Sequence, residues 1–156
     1  MVLNLRKWQW HPAYQGTVLG PLLFLIFIND IHDNIDSQMR LFADDCLVYR
    51  IINSPNNCLK LQEDLSLLCD WESEWQMEFY KYMCYVLHMS RKKHSIGTLY
   101  YLQDAPVEIS TKQIYLGVDL SNDLDWSHHV NSITTRANKT VCLLRRNRKS
   151  YSPYNI

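Results

Sequence analysis

The stretch from residue 53 to residue 75 constrains the fold more than any other. Asn53-Ser54-Pro55 is a helix start. Ser54 suits the cap, and Pro55 suits the first turn because its missing N–H would have no helical partner there. Leu61, Leu65, Leu68, Trp71 and Trp75 then recur at spacings of three and four. They make one apolar stripe on a helix of about five turns, and both tryptophans, in register with the leucines, are expected in the core. A helix with one apolar stripe must lie against something, and the residues after it change period. Residues 83–89 read as a strand, and residues 98–102 and 107–110 as a hairpin around Gln103-Asp104-Ala105-Pro106. Residues 113–120 read as a further strand, with Gly117 marking a close approach to the backbone. Asn122-Asp123-Leu124-Asp125 is a turn, and residues 126–146 read as a final helix.

Upstream of the stripe, Met39 to Arg50 places two apolar runs around Asp44-Asp45, which reads as a β-hairpin with its tip at the two aspartates. Neighbouring carboxylates repel, and the tip lacks the Asn-Gly or Asp-Gly chemistry of an easy turn. A divalent cation offsets such repulsion, and hard oxygen donors suit Mg²⁺. Taken alone, the pair reads as a solvated turn. The most apolar run, Val18 to Ile28, is opened by Gly20-Pro21 and ended by Asn29-Asp30. It is shorter than the roughly 20 residues a membrane span needs, and reads as a core helix buried on most sides. Within residues 1–13, Leu5, Trp8 and Trp10 suggest only a short strand. The order helix, hairpin, helix, strand, hairpin, strand, helix is an α+β pattern, with helices packed on an antiparallel sheet.

At 156 residues the chain is one domain, or a piece of a larger one, and its 47% apolar content can fill a core. Sixteen Lys and Arg balance sixteen Asp and Glu, so no global basic field announces a nucleic-acid partner. The cations that do cluster are Arg136, Lys139, Arg145, Arg146, Arg148 and Lys149, at the C-terminal end. They read as a solvated helix face or as phosphate contacts. Cys46, Cys58, Cys69, Cys84 and Cys142 are odd in number and widely spaced, which argues against a disulfide framework and a zinc knuckle, and for an intracellular setting. His128-His129 lacks further ligands at a useful spacing.

Four stretches carry a resemblance: Gln15-Gly16-Thr17-Val18-Leu19-Gly20-Pro21, Phe42-Ala43-Asp44-Asp45, Trp75-x-Met77-x-Phe79 and Tyr115-Leu116-Gly117-Val118. In this order they resemble the reverse transcriptase of non-LTR retrotransposons, most closely the jockey-like kind. The likeness runs from Gln15 to Asn147. It implies that residues 15–120 are part of a polymerase palm and residues 121–156 the start of a helical thumb, with residues 1–14 unassigned. Such a palm joins nucleotides to a primer 3′-hydroxyl by two-metal phosphoryl transfer. Carried onto this chain, Asp44 and Asp45 are the catalytic metal ligands for Mg²⁺. Gln15 and Gly16 form the loop beside the incoming nucleotide and template base. Tyr115, Leu116 and Gly117 form the hairpin that holds the primer end. Arg136, Lys139, Arg145, Arg146 and Arg148 follow nucleic-acid phosphates. The implied partners are an RNA template, a DNA primer and deoxynucleoside triphosphates, with no membrane and no disulfide partner. Such elements copy themselves at nuclear DNA, though no nuclear signal is visible.

The departures from the pattern matter equally. The family's first catalytic aspartate lies on a strand upstream of the Gln-Gly loop, yet no acidic residue precedes Gln15. Asp30, Asp33 and Asp36 come after the loop. Tyr80 and Met83 stand where the family favours Asn and the Lys that protonates pyrophosphate, and Lys81 lies one same-face strand step from Met83. Tyr14 replaces the usual proline. The expectation is a polymerase fragment that is inactive alone, with one Mg²⁺ or none, a 39–50 hairpin with an unpaired edge, and partial disorder over residues 1–13. The alternative is a non-catalytic nucleic-acid-binding relic, using the basic helix and the strand at 115–118. A membrane-associated protein using residues 18–28 is the weakest alternative.

Overall fold

The structure, a computed structural model, describes residues 2–6, 18–43, 45–77, 79–91 and 96–150. In chain order, strand β1 (Val2–Arg6) precedes helix α1 (Gly20–Phe27), strands β2 (Gln38–Phe42) and β3 (Asp45–Tyr49), and helix α2 (Pro55–Trp75). A 3₁₀ turn (Lys81–Met83) leads into β4 (Tyr85–Leu87), followed by β5 (Tyr101–Leu102), β6 (Ala105–Pro106) and β7 (Glu108–Ser110). Strands β8 (Lys112–Tyr115) and β9 (Val118–Ser121) and helix α3 (Ser127–Ser150) complete the order. The fold is α+β.

Helix α2 forms as its residues dictate. The Ser54 backbone N–H donates to Asn57 Oδ1 at 3.1 Å, and its hydroxyl to the same oxygen at 2.7 Å, closing the first turn. Cys58, Leu61, Leu65 and Leu68 are buried. Two acids are buried among them, and each acts as an anchor. Asp64 accepts the N–H groups of Asp36 (3.0 Å) and Ser37 (2.9 Å), the Ser37 hydroxyl, and Arg50 Nη2 at 3.2 Å. Glu72 accepts the Phe79 N–H at 2.6 Å and the Gln103 amide at 2.7 Å. The helix ends at Gln76, in the left-handed region with φ 53°. The stripe loses burial at its last turn. Trp71 is half-buried, its indole N–H donating to Asp30 Oδ1 at 3.0 Å, while Trp75 is exposed and meets the Phe27 ring edge-on at 5.0 Å. The expectation of a core Trp75 is therefore corrected: at the end of the helix its ring packs on Phe27, outside the buried cluster.

The main sheet has five strands in the order β2-β3-β1-β4-β7, antiparallel except for the parallel pair β4–β7. Strand β1 runs between β3 and β4, with Leu3 opposite Val48, Leu5 opposite Cys46, and Arg6 opposite Asp45. It pairs the edge of the hairpin that was expected to be open, and it orders Val2 to Arg6. Trp8 and Trp10 lie outside the described residues.

Three further expectations are corrected. Residues 81–83 form a 3₁₀ turn before the short β4, so Lys81 and Met83 do not share a strand face. The single strand expected over residues 113–120 is a hairpin, β8 against β9, turning at Leu116 (φ 48°) and Gly117 (φ 82°). Two consecutive positive φ values are the twist-matched hairpin turn, and nothing lies within 4 Å of a Cβ built at Gly117. The glycine serves conformation there and not close approach. Helix α1, expected to be buried on most sides, has no buried residue: Leu19, Leu22, Leu23, Leu25 and Ile26 are exposed. Only Phe24 and Phe27, with Ile28 and Ile31 beyond its end, pack on the core.

Candidate functional site

In the β2–β3 hairpin the last register pair is Phe42 with Asp45. Asp45 is therefore the first residue of β3 and not part of the tip, as was expected, and Ala43 takes φ 49°. Asp44, Gln15 and Gly16 lie outside the described residues. Along β3, Cys46 and Val48 are buried against the helices, whereas Asp45, Leu47 and Tyr49 are half-buried on the opposite face. That opposite face of the sheet is partly open. Arg40 lies on it, its guanidinium 5.8 Å from the centre of the Tyr49 ring.

The β8–β9 hairpin brings a second motif to this place. Tyr115 is half-buried, and burial together with the nearby Asp45 carboxylate and Cys46 thiol holds its phenol above the usual tyrosine range. Seventy positions separate Asp45 from Tyr115 in the chain, yet the carboxylate lies near enough to act on the phenol. Leu116 and Gly117, at the hairpin turn, are exposed.

Helix α3 leaves the hairpin through a turn that fixes its start. Asp125 Oδ1 accepts the Ser127 N–H at 3.0 Å and the Ser127 hydroxyl at 2.8 Å, and these bonds lower the Asp125 carboxyl below its ordinary range. His129 is half-buried, its Nδ1 accepting the Asp119 N–H at 3.3 Å, while the exposed His128 meets Lys112 Nζ at 2.8 Å through Nε2. Beyond this anchor every residue from Ile133 to Arg148 is exposed, including Arg136, Lys139, Arg145, Arg146 and Arg148. Across residues 127–150 the helix carries basic side chains and no acidic one.

Mg²⁺ wants near-octahedral oxygen coordination, and a two-ion site needs several carboxylates. Among the described residues no group of three or more His, Cys, Asp or Glu is placed to hold a metal ion. In the strand beside β3, the residue opposite Asp45 is Arg6, and β1 contains no carboxylate. The described donors do not make a two-ion site. Cys46, Cys58, Cys69, Cys84 and Cys142 are all free thiols. No helix among the described residues is long and apolar enough to cross a membrane.

Residue patterns missed the partner of the hairpin. The five residues of β1 alternate Val2, Asn4 and Arg6 with Leu3 and Leu5, and that alternation was the available signal.

A partly open sheet face with an aspartate at one end, in a chain that also carries an exposed basic helix, suits a nucleic-acid enzyme, and comparison with known proteins points the same way. The chain is a distant relative of transposon RNA-directed DNA polymerases. Two proteins of Drosophila melanogaster carry that relationship. The probable RNA-directed DNA polymerase from transposon X-element is 28% identical over 133 residues, covering 81% of this chain and 14% of its own length. The corresponding protein from transposon BS is 28% identical over 159 aligned residues, covering 87% of this chain and 16% of its own length. The chain thus spans about one-seventh of the length of these relatives. No family model matches it, and no solved structure matches it.

Proposed function

We propose that this chain is a palm segment, with the start of a thumb, of a transposon-type RNA-directed DNA polymerase. In this reading its own retained capacity is to hold a template–primer. Residues 15–120 form the palm part, and residues 121–156 begin the thumb. The observation that supports it is that the β8–β9 hairpin packs beside β4 of the main sheet, with the Asp45 carboxylate near enough to act on the Tyr115 phenol; these two residues belong to two motifs of the resemblance. Nucleic acid lies across the open face of the sheet, the primer end against Tyr115, Leu116 and Gly117, and the phosphates along Arg136, Lys139, Arg145, Arg146 and Arg148. Gln15 and Gly16 are assigned to the nucleotide and template base.

Asp44 and Asp45 are assigned as the surviving metal-side carboxylates. Nucleotidyl transfer needs a further carboxylate on the adjoining strand, and β1 offers Val-Leu-Asn-Leu-Arg. The chain alone is therefore a binder and not a polymerase.

Fluorescence anisotropy with an RNA–DNA hybrid tests the binding. Affinity should fall steeply with salt, and replacing Arg145, Arg146 and Arg148 with glutamine should weaken it and flatten the log–log slope by about two to three units. No hybrid binding at low salt sinks the reading, and binding unchanged in the triple variant removes α3 from it. Primer extension by the chain alone should be absent with Mg²⁺. Extension that disappears in Asp44→Asn would restore catalysis to this chain.

A further inference from the structure

The 3₁₀ turn after α2 carries the sequence Tyr80-Lys81-Tyr82-Met83. Two of its aromatic rings are displayed and not buried. Tyr82 is 84% exposed and Tyr80 48% exposed, although neighbouring Phe79 and Cys84 sit in the core at 2% and 1%. Burial is the ordinary fate of an aromatic ring because it removes so much apolar surface from water. The two rings face each other edge-on, with centres 5.8 Å apart.

The backbone beneath them is held firmly. The Met83 N–H donates to the Tyr80 carbonyl at 2.8 Å, and the Cys84 N–H to the Lys81 carbonyl at 3.2 Å. The Tyr85 hydroxyl donates to the Tyr82 carbonyl at 3.2 Å. A pinned turn presents its rings with little conformational entropy left to lose on binding.

Its position in the sheet gives the rings a purpose. The turn packs beside β1. The β1–β4 register pairs Leu3 with Val86 and Asn4 with Tyr85. On its other side β1 pairs with β3, where Arg6 lies opposite Asp45. An aromatic pair straddling an exposed lysine therefore adjoins the open face on which nucleic acid is proposed to lie.

We propose that Tyr80 and Tyr82 form a stacking platform for the unpaired nucleobases of a single strand entering that face. The proposal rests on the nucleic-acid reading above and names the form of nucleic acid that this edge takes. Every base has a π-face, so the platform is indifferent to base identity. It acts on unpaired bases because those of a duplex are already stacked on one another. Lys81 supplies a charge for the backbone of the same strand. A protein partner would also use exposed tyrosines, but continuity with the Asp45 strand favours the nucleobase.

The test uses the whole chain and three fluorescent probes: a thymidine 12-mer, an abasic 12-mer of the same backbone, and an RNA–DNA hybrid. The wild type should bind the thymidine strand at least about tenfold more tightly than the abasic one, the effect of one stacked base. Tyr82→Leu, which keeps apolar bulk but loses the ring, should cost about five- to tenfold toward the thymidine strand. Tyr82→Phe should change it by less than twofold, because stacking needs the ring and not the hydroxyl. Hybrid affinity should hold in both variants. Equal wild-type affinity for thymidine and abasic strands overturns the platform without any variant. So does a Tyr80→Leu/Tyr82→Leu double variant that binds thymidine as the wild type does while still binding hybrid. Failure of the wild type to bind any probe takes down the broader nucleic-acid reading and the platform together.

Discussion

Helices α1 and α2 differ in a way that reverses a simple expectation. Helix α1 is Gly-Pro-Leu-Leu-Phe-Leu-Ile-Phe, apolar from end to end, and buries no residue completely. Helix α2 has acids, amides and a lysine along it, yet it buries Cys58, Leu61, Leu65 and Leu68, and two carboxylates besides. Their caps differ too: α2 opens on Ser54 with Asn57 closing the box, whereas α1 opens on Leu19 with no side-chain cap. Burial is decided by what lies opposite a side chain. Helix α2 has a sheet beneath it, and its buried acids have donors waiting. Helix α1 has the core beneath Phe24 and Phe27 alone.

The sharpest way to break this contrast is to shorten side chains on α2. Leu68→Ala removes a fully buried side chain, and urea unfolding should show a loss of about 3 kcal/mol. A loss under about 1 kcal/mol would mean that the α2–sheet contact is loose in solution. Asp64→Ala should cost nearly as much, about 2 to 3 kcal/mol, by removing the acceptor that the Asp36 and Ser37 N–H groups share. If Asp64→Ala is neutral, the buried acid is not what ties α2 to the 36–37 connection. Ser54→Ala should cost about 1 kcal/mol, read as a lower denaturant midpoint with an unchanged slope. The smallest effect is expected on α1, where Ile26→Lys should change stability by no more than about 0.5 kcal/mol while reducing self-association in sedimentation. A large loss at Ile26 would show that the outer face of α1 is covered in solution, and the contrast with α2 would dissolve.

The same contrast explains what could be read from residues alone. Helix α2 was legible because Ser54-Pro55 marks its start and the leucine spacing is regular over five turns. The β2–β3 hairpin was legible from apolar runs around two aspartates, although Asp45 belongs to β3 and not to the tip. Strand β1 was not, because five residues are too few for periodicity and both of its partners lie far along the chain. The β8–β9 turn escaped because Leu116 takes a left-handed conformation usually given to Asn, Asp or Gly. The exposure of α1 escaped because hydrophobicity reports a demand for cover and not its supply. Of the candidate site, the nearness of Asp45 and Tyr115 followed from no spacing rule. The nearness comes from the packing of the β8–β9 hairpin beside β4, which joins segments far apart in the chain.

The placement of β1 has a consequence for how the molecule reaches its fold. Strand β1 lies inside the sheet, and its neighbours are made roughly 40 and 80 residues after it. At about 5 to 20 residues per second of synthesis, the second neighbour trails the first strand by roughly 4 to 16 s. Until β4 is made, one side of β1 lacks its final pairing, and closing the sheet then means joining segments far apart in sequence. Such high contact order slows folding and lengthens the time in which unpaired strands meet other chains.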